Sequence, residues 1–182
     1  MKIRNAVRHL ITITSHRHAV IRHARKAGIL WQALGHDMSK YSPAEFLSGV
    51  RYYAEGKRSP NEIEREKHGY SSAWLHHKGR NKHHFEYWND LSPVTKQYES
   101  VPMPLRYVAE MFCDRVAASK IYQGEAYTDR HPLDYYLRGD AKRKMHPDTA
   151  ACLEAWLRLL AEEGEDAAFL AIRETIREAK KK

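Results

Sequence analysis

Helix-start signals followed by a glycine recur along this chain, and they restrict its possible folds more than any other feature. Residues 42–45 (SPAE) and 59–62 (SPNE) each combine an N-cap serine, a proline at the first helical position and a glutamate three residues after the cap. Gly56 and Gly69 follow them as helix stops. No stretch alternates apolar and polar residues as a half-buried strand does. We therefore predict an all-α fold, a helical bundle.

Similar signals place the other helices. Ser15 is a candidate N-cap for a helix that Gly28 closes, and Asn81 is a candidate N-cap for a short helix. Pro104 and Pro147 open two longer helices with apolar residues at helical spacing. The expected helices cover about residues 16–27, 30–38, 43–55, 60–68, 72–78, 82–89, 104–122, 133–137, 147–163 and 165–182.

Length and composition set the expected organisation and compartment. A chain of 182 residues has the length of one domain, which we expect over residues 1–182. Its expected parts are a core over about residues 8–165, a basic N-terminal segment 1–14 and a C-terminal helix 165–182. No apolar run reaches the ~18–20 residues of a membrane span, so we expect no membrane partner. Cys113 and Cys152 both lie in apolar helical patterns as core thiols, which predicts a reducing, cytoplasmic location.

Histidines and carboxylates carry the functional information. The chain has twelve histidines, four of them within residues 76–84. His36 and Asp37 are adjacent at a predicted helix end, where imidazole nitrogen and carboxylate oxygen suit a divalent cation. His16 precedes them by one predicted helix, and an antiparallel helix pair brings it beside the doublet. Asp114 interrupts an apolar helix, and because an unpaired buried carboxylate is strongly unfavourable, it needs a cation. The sequence therefore predicts a metal site.

The order of these residues resembles the HD superfamily of metal-dependent phosphohydrolases, in which an upstream histidine, a His-Asp doublet and a distant helical aspartate share the metal. Lys40, three residues after the doublet, and the small residues after Asp114 are typical of that superfamily, whereas Ser39 stands where it usually has glycine. More closely, HDMSKYSPAEF, AWLHHKGRNKHHFEYW and EMFCDRVAASK resemble an uncharacterised family of small bacterial and phage proteins over about residues 8–165. That resemblance implies a single HD-like helical domain and brings no assigned activity.

The residues and the resemblance together give one set of candidate metal ligands: His16, His36, Asp37, His77, His83, His84 and Asp114. They imply one or two divalent ions chosen from Mn, Fe, Zn, Co and Mg. The open alternatives are His76 against His77, His83 against His84, and His9, His18 or His23 in place of His16. Glu86 is expected to orient an imidazole, as metal-bound histidines usually require.

Such a site predicts a metal-dependent hydrolase. A bound metal lowers the pKa of water and delivers hydroxide to an electrophile. Asp37 and Lys40 are the candidate catalytic residues, and Lys78, Arg80 and Lys82 are the candidate substrate-binding residues, because their charges can hold the oxygens of a phosphate. The expected substrate is a small phosphorylated molecule that resembles a nucleotide. The sequence gives neither its identity nor the oligomeric state.

Two other classes of function remain open. A dinuclear iron site on the same scaffold could activate oxygen, as HD-like oxygenases do. Alternatively, the net charge of +8, with seven Lys/Arg and no Asp/Glu in residues 1–36, suits a nucleic-acid-binding module whose histidines are structural. Such a module would bind in a steeply salt-dependent way and without metal.

Overall fold

Helices account for most of residues 3–55 and 58–181, the parts of the chain that the computed structural model describes. The helices are α1 (Ile3–Lys26), α2 (Leu30–Ala33), α3 (Pro43–Arg51), α4 (Pro60–His68), α5 (Ser72–Lys78), α6 (Leu105–Gln123), α7 (His131–Arg138), α8 (Ala141–Lys144), α9 (Pro147–Glu163) and α10 (Glu165–Ala179). The 3₁₀ turns are Met38–Tyr41, Phe85–Tyr87 and Gly124–Ala126, and β1 (Asn89–Leu91) pairs antiparallel with β2 (Tyr98–Ser100). Apart from this short hairpin, the described residues form no sheet, and the predicted all-α fold is confirmed.

Several helix ends lie where capping chemistry predicts them. Helices α3, α4 and α9 each begin with a proline, whose fixed φ suits the first helical position. Ser71 caps α5, because its Oγ accepts a hydrogen bond from the Trp74 N–H at 3.0 Å. Gly69 ends α4 with a φ of 81°, a left-handed conformation that glycine adopts freely. The expected stop at Gly56 lies outside the described residues.

The predicted start of the first helix was wrong. Helix α1 begins at Ile3, and Ser15 lies exposed in its interior instead of capping it. The reason is tertiary packing, because the buried residues His9, Ile13 and His16 continue one helical face through the serine. The basic N-terminal residues from position 3 onward are therefore part of a 24-residue helix.

Other boundaries also differ from prediction, among them the end of α3, which comes at Arg51 and not at residue 55. Helix α2 ends at Ala33 and not near residue 38, because Asp37 takes a left-handed conformation that no helix interior accepts. The segment 82–89 forms a 3₁₀ turn and the start of β1 instead of a helix. Its expected cap, Asn81, instead donates from Nδ2 to the His77 carbonyl at 2.8 Å and to Ser39 Oγ at 2.8 Å.

The core lies around α6, which packs against α1, α7, α9 and α10. Phe112 of α6 is fully buried, and it contacts Phe169 of α10 edge-on at 5.6 Å between ring centroids. Helices α3, α4 and α5 form a second layer beside the first half of α1, joined to it through α3. The interface between α1, α6 and this second layer is where the histidines meet.

A membrane-spanning helix requires a long apolar stretch. Among the described helices, none is both long and apolar enough to cross a bilayer.

Candidate metal centre

Five segments bring the histidines and carboxylates together. His16 comes from the middle of α1, and His36 and Asp37 come from the turn after α2. His77 lies in the last turn of α5, the loop after that helix supplies His83 and His84, and Asp114 comes from the centre of α6. All seven predicted ligand residues therefore lie in one place, although the first and the last are 98 residues apart in the sequence.

Asp37 lies at the centre of this cluster. Its backbone has a φ of 54°, and its side chain is only 2% exposed. Each carboxylate oxygen faces a different set of donors, so that two groups of possible metal ligands share this one residue.

The first set, which we call the Asp114 group, consists of His16, His36, Asp114 and Asp37 Oδ2. His16 Nε2 lies 2.9 Å from Asp114 Oδ1 and 3.8 Å from Asp37 Oδ2. His36 Nε2 lies 3.4 Å from Asp37 Oδ2 and 3.7 Å from Asp114 Oδ1. Two imidazoles and two carboxylates thus point at a common centre.

The second set, which we call the His77 group, consists of His77, His83, His84 and Asp37 Oδ1. The Nε2 atoms of His77 and His83 lie 3.3 Å and 3.4 Å from Asp37 Oδ1. His84 Nε2 lies 2.9 Å from His77 Nε2. This group is richer in nitrogen, with three imidazoles and a single carboxylate oxygen.

Both groups fit a divalent cation. Bonds of about 2.1 Å in a tetrahedral site place donors roughly 3.4 Å apart, and the separations above range around that value. Three of the converging atoms are buried without a hydrogen bond to any described residue: His36 Nε2, His83 Nε2 and Asp37 Oδ1. Asp37 Oδ2, in contrast, pairs with Lys40, and His16 Nε2 pairs with Asp114. Buried polar atoms almost always have a partner, and a cation at each centre would supply one.

The ionisation of the Asp114 group reflects the same need for positive charge. Burial disfavours a charged His36, but the carboxylates of Asp37, Asp114 and Glu110 outweigh this effect and raise its pKa to about 10. Burial would raise the pKa of Asp114, yet His16 and His36 hold it well below its usual range. A cation at this position would satisfy these carboxylates in place of a proton.

Two glutamates that the sequence did not predict in this role hold the histidines on the side away from the centre. His36 Nδ1 donates to Glu110 Oε1 at 2.9 Å, and His77 Nδ1 donates to Glu45 Oε2 at 2.7 Å. Because a carboxylate only accepts, these bonds place the proton on Nδ1 and leave Nε2 free to face the centre. Glu86, the residue expected in this role, makes no side-chain hydrogen bond to a described histidine, and burial raises its pKa.

The other histidines take different positions. His9 and His23 lie seven residues to either side of His16 on the same buried face of α1, where His9 packs against Gly49 and His23 stacks on Phe169. His18 is exposed. In the described part of the chain, His9, His18 and His23 all lie outside the groups of possible ligands. His76 is bonded to Glu45 at 2.6 Å and also lies outside both groups.

Lys40 contacts the centre, and the predicted substrate-binding cations differ in their exposure. Lys40 Nζ is 2.6 Å from Asp37 Oδ2, and the neighbouring carboxylates raise its pKa to about 12 against the opposing effect of burial. Lys78 is half-buried and Arg80 is exposed. Lys82 is exposed, with its ammonium 5.7 Å from the centroid of the Tyr87 ring.

Neither a comparison with curated proteins nor one with solved structures found a match. A comparison with protein families found a match over residues 5–159. This range contains the Asp114 group, the His77 group, Glu45 and Glu110. The chain therefore belongs to a family of unknown function, DUF5662.

Proposed function

We propose that this protein is an HD-type, metal-dependent phosphohydrolase that uses two divalent ions to hydrolyse a phosphoester of a nucleotide-like molecule. The observation that carries the proposal is the arrangement at Asp37, whose Oδ2 faces the Asp114 group while its Oδ1 faces the His77 group. A carboxylate that offers one oxygen to each of two ligand groups suits a two-metal site of the kind phosphatases and nucleases use.

Each group would hold one ion through its own donors. Ions bound there would lower the pKa of a water molecule and so supply hydroxide at neutral pH. One side of the centre is open to a substrate, because side-chain exposure increases from 0% at His36 to 19% at Asp114 and 28% at Lys40. We infer that the phosphoester enters between Asp114 and Lys40, while His36 and its buried neighbours exclude water from the opposite side.

Positive side chains would bind the substrate. The Lys40 ammonium, held next to Asp37, can donate to a phosphate oxygen and neutralise the charge that grows on it during hydrolysis. Lys78, Arg80 and Lys82 lie on the segment between the two pairs of histidines at 76–77 and 83–84. We propose that they bind the remaining phosphate oxygens of the substrate.

One observation favours a second candidate. The three imidazoles of the His77 group suit iron as well as zinc or cobalt, so the same scaffold could support a dinuclear iron oxygenase. The convergence of unpartnered Nε2 atoms on Asp37 is what a metal site requires, and a nucleic-acid-binding module with structural histidines does not need it.

The experiment begins with protein purified without chelator or nickel resin, and elemental analysis gives its metal content. Phosphate release is then assayed on nucleoside mono-, di- and triphosphates and cyclic nucleotides, with Mn²⁺, Co²⁺, Mg²⁺ or Zn²⁺ supplied. We expect turnover of at least one substrate, lost on chelation and in Asp114→Ala. No turnover by metal-loaded protein on the whole panel would reject nucleotide phosphohydrolysis. Oxygen uptake after anaerobic reconstitution with iron would then establish the oxygenase instead.

We also propose a reducing, cytoplasmic location. Cys113 and Cys152 are both free thiols, and burial raises the pKa of each, to about 11 for Cys152. Since the thiolate is the reactive form, both side chains are suited to staying reduced as parts of the core.

A further inference from the structure

Glu110 occupies an unusual place behind the candidate centre. Its Oε1 accepts from His36 Nδ1 at 2.9 Å, and the same oxygen lies 3.4 Å from His83 Nδ1. His36 belongs to the Asp114 group, whereas His83 belongs to the His77 group. One carboxylate oxygen therefore contacts a ligand of each group.

The two imidazoles lie side by side between two carboxylates. Their ring centroids are 4.4 Å apart, with Nδ1 of each ring toward Glu110 and Nε2 of each ring toward Asp37. Asp37 thus joins the two groups from the front and Glu110 joins them from the back. All four side chains are 6% exposed or less, so water does not compete for these contacts.

Glu110 is itself held in place. Gln32 Nε2 donates to Glu110 Oε2 at 2.5 Å and to the Arg106 carbonyl at 3.1 Å. The side chain of Glu110 is therefore held at both oxygens.

We propose that Glu110 is a positioning residue shared by the two metal sites, which fixes the Nδ1 proton and the ring orientation of His36 and His83 together. The inference rests on the proposed function, since it assumes that both groups bind metal. Glu45 provides a natural contrast, because it bonds to His77 and to His76, and His77 is its single contact with either group among the described residues. Loss of the Glu110 carboxylate should weaken both sites, whereas loss of the Glu45 carboxylate should weaken one.

The test begins with protein from which a chelator has removed all metal. This protein is titrated with Mn²⁺, and calorimetry and electron paramagnetic resonance monitor the binding. Wild type should bind two Mn²⁺ ions that show magnetic coupling, and Asp114→Ala identifies which binding event belongs to the Asp114 group. Glu110→Gln and Glu45→Gln both keep the shape of the side chain and remove its charge. We expect roughly tenfold or greater loss of affinity at both sites in Glu110→Gln, the usual effect of removing a carboxylate that orients a ligand. Glu45→Gln should show that loss only at the site of the His77 group.

The outcomes separate this inference from the proposed function. If wild type binds two Mn²⁺ and Glu110→Gln loses affinity at one site or at neither, the shared role of Glu110 is wrong and the metal centre stands. If wild type binds no metal, the metal centre and the inference both fall. If circular dichroism shows that Glu110→Gln does not fold, Gln32→Ala takes its place, because it removes the support of Glu110 and keeps its carboxylate. Gln32→Ala should weaken Mn²⁺ binding at both sites, by less than Glu110→Gln would. Wild-type affinities at both sites in Gln32→Ala would overturn the inference.

Discussion

Asp37 holds its carboxylate between two sets of imidazoles by adopting a backbone conformation that few side chains tolerate. Its φ of 54° and ψ of 23° lie in the left-handed region, where asparagine and aspartate are the best accepted residues after glycine. Such a residue persists only when its surroundings hold it. Here the surroundings are the imidazoles and Lys40, so the conformation and the chemistry of this residue depend on each other.

Asp37→Asn separates the backbone requirement from the charge, because asparagine accepts the same conformation. We expect this variant to lose both metal ions, since its NH2 group cannot bind a cation and its remaining oxygen no longer carries the negative charge that the two groups share. Asp114→Ala should lose one ion, and His146→Ala, which changes a residue outside both groups, should lose none. Elemental analysis after dialysis against limiting metal measures all three. Retention of one full equivalent by Asp37→Asn would contradict the expectation that both sites need the carboxylate charge.

Lys40 tests the catalytic part of the proposal. Lys40→Ala should keep its metal content and lose about 2–4 kcal/mol of transition-state stabilisation, the scale for one preorganised electrostatic donor. Lys40→Arg should recover little, because a planar guanidinium does not replace a compact ammonium at a close site. The comparison is kcat/KM on whichever phosphoester the wild type hydrolyses. Equal activity of Lys40→Ala would remove this residue from the mechanism and leave the hydrolase class intact.

At the scale of the elements, α1 depends on buried imidazoles that must stay neutral. His9 lies between α1 and α3, against Gly49 and 5.4 Å from the Phe46 ring centroid. Burial, helped by the charge of Lys40, lowers its pKa to about 4. The unfolded chain binds a proton at His9 below about pH 6.5 and the folded chain does not until about pH 4. The free energy of unfolding therefore falls as the pH drops through this window.

His9→Gln removes that titration and should make stability less sensitive to acid. Between pH 7 and pH 4.5, wild type should lose about 2 kcal/mol more unfolding free energy than the variant does, from a shift of roughly two pKa units. Urea unfolding at the two pH values, followed by circular dichroism, gives the difference. His18→Gln is the matched control on the exposed side of α1 and should behave as wild type. An equally steep loss in His9→Gln would mean that His9 is protonated in the folded protein.

Local chemistry allowed the prediction of some elements and not of others. The starts of α3, α4, α5 and α9 follow from serine and proline at fixed offsets, which act within a few residues. The start of α1 does not follow from a local capping signal, because packing against α3 and α6 outweighs the capping preference of Ser15. The glutamates behind the centre were also missed, since Glu45 acts 32 residues away on His77 and Glu110 acts 74 residues away on His36. One sign was present, because Glu110 precedes Asp114 by four residues and so shares its helix face.

At the scale of the whole molecule, the centre joins segments that otherwise belong to different layers. The Asp114 group connects α1, the turn after α2 and α6, and the His77 group adds α5 and the loop after it. Ions that bind only this assembled arrangement must stabilise the fold as a whole.

Metal removal should therefore lower the melting temperature. Each ion present at 100 times its dissociation constant adds about 2.7 kcal/mol to the free energy of unfolding. For a chain of this size that corresponds to roughly 5–10 °C. Calorimetric melting in excess EDTA, and again after Mn²⁺ is restored, measures the change. An unchanged melting curve, with removal of the metal verified by elemental analysis, would contradict a centre that links these segments.

The seven-residue spacing of His9, His16 and His23 has a consequence for insertions and deletions. Seven residues make almost two helical turns, so any of the three imidazoles could face the centre if α1 were shortened or lengthened by the right amount. Deleting residues 10–16 should carry His9 into the place of His16 and preserve metal uptake, whereas deleting residues 11–16 puts Leu10 there and should abolish it. We therefore expect the position of a candidate ligand along this helix to tolerate change in steps of seven and not in the smaller steps between.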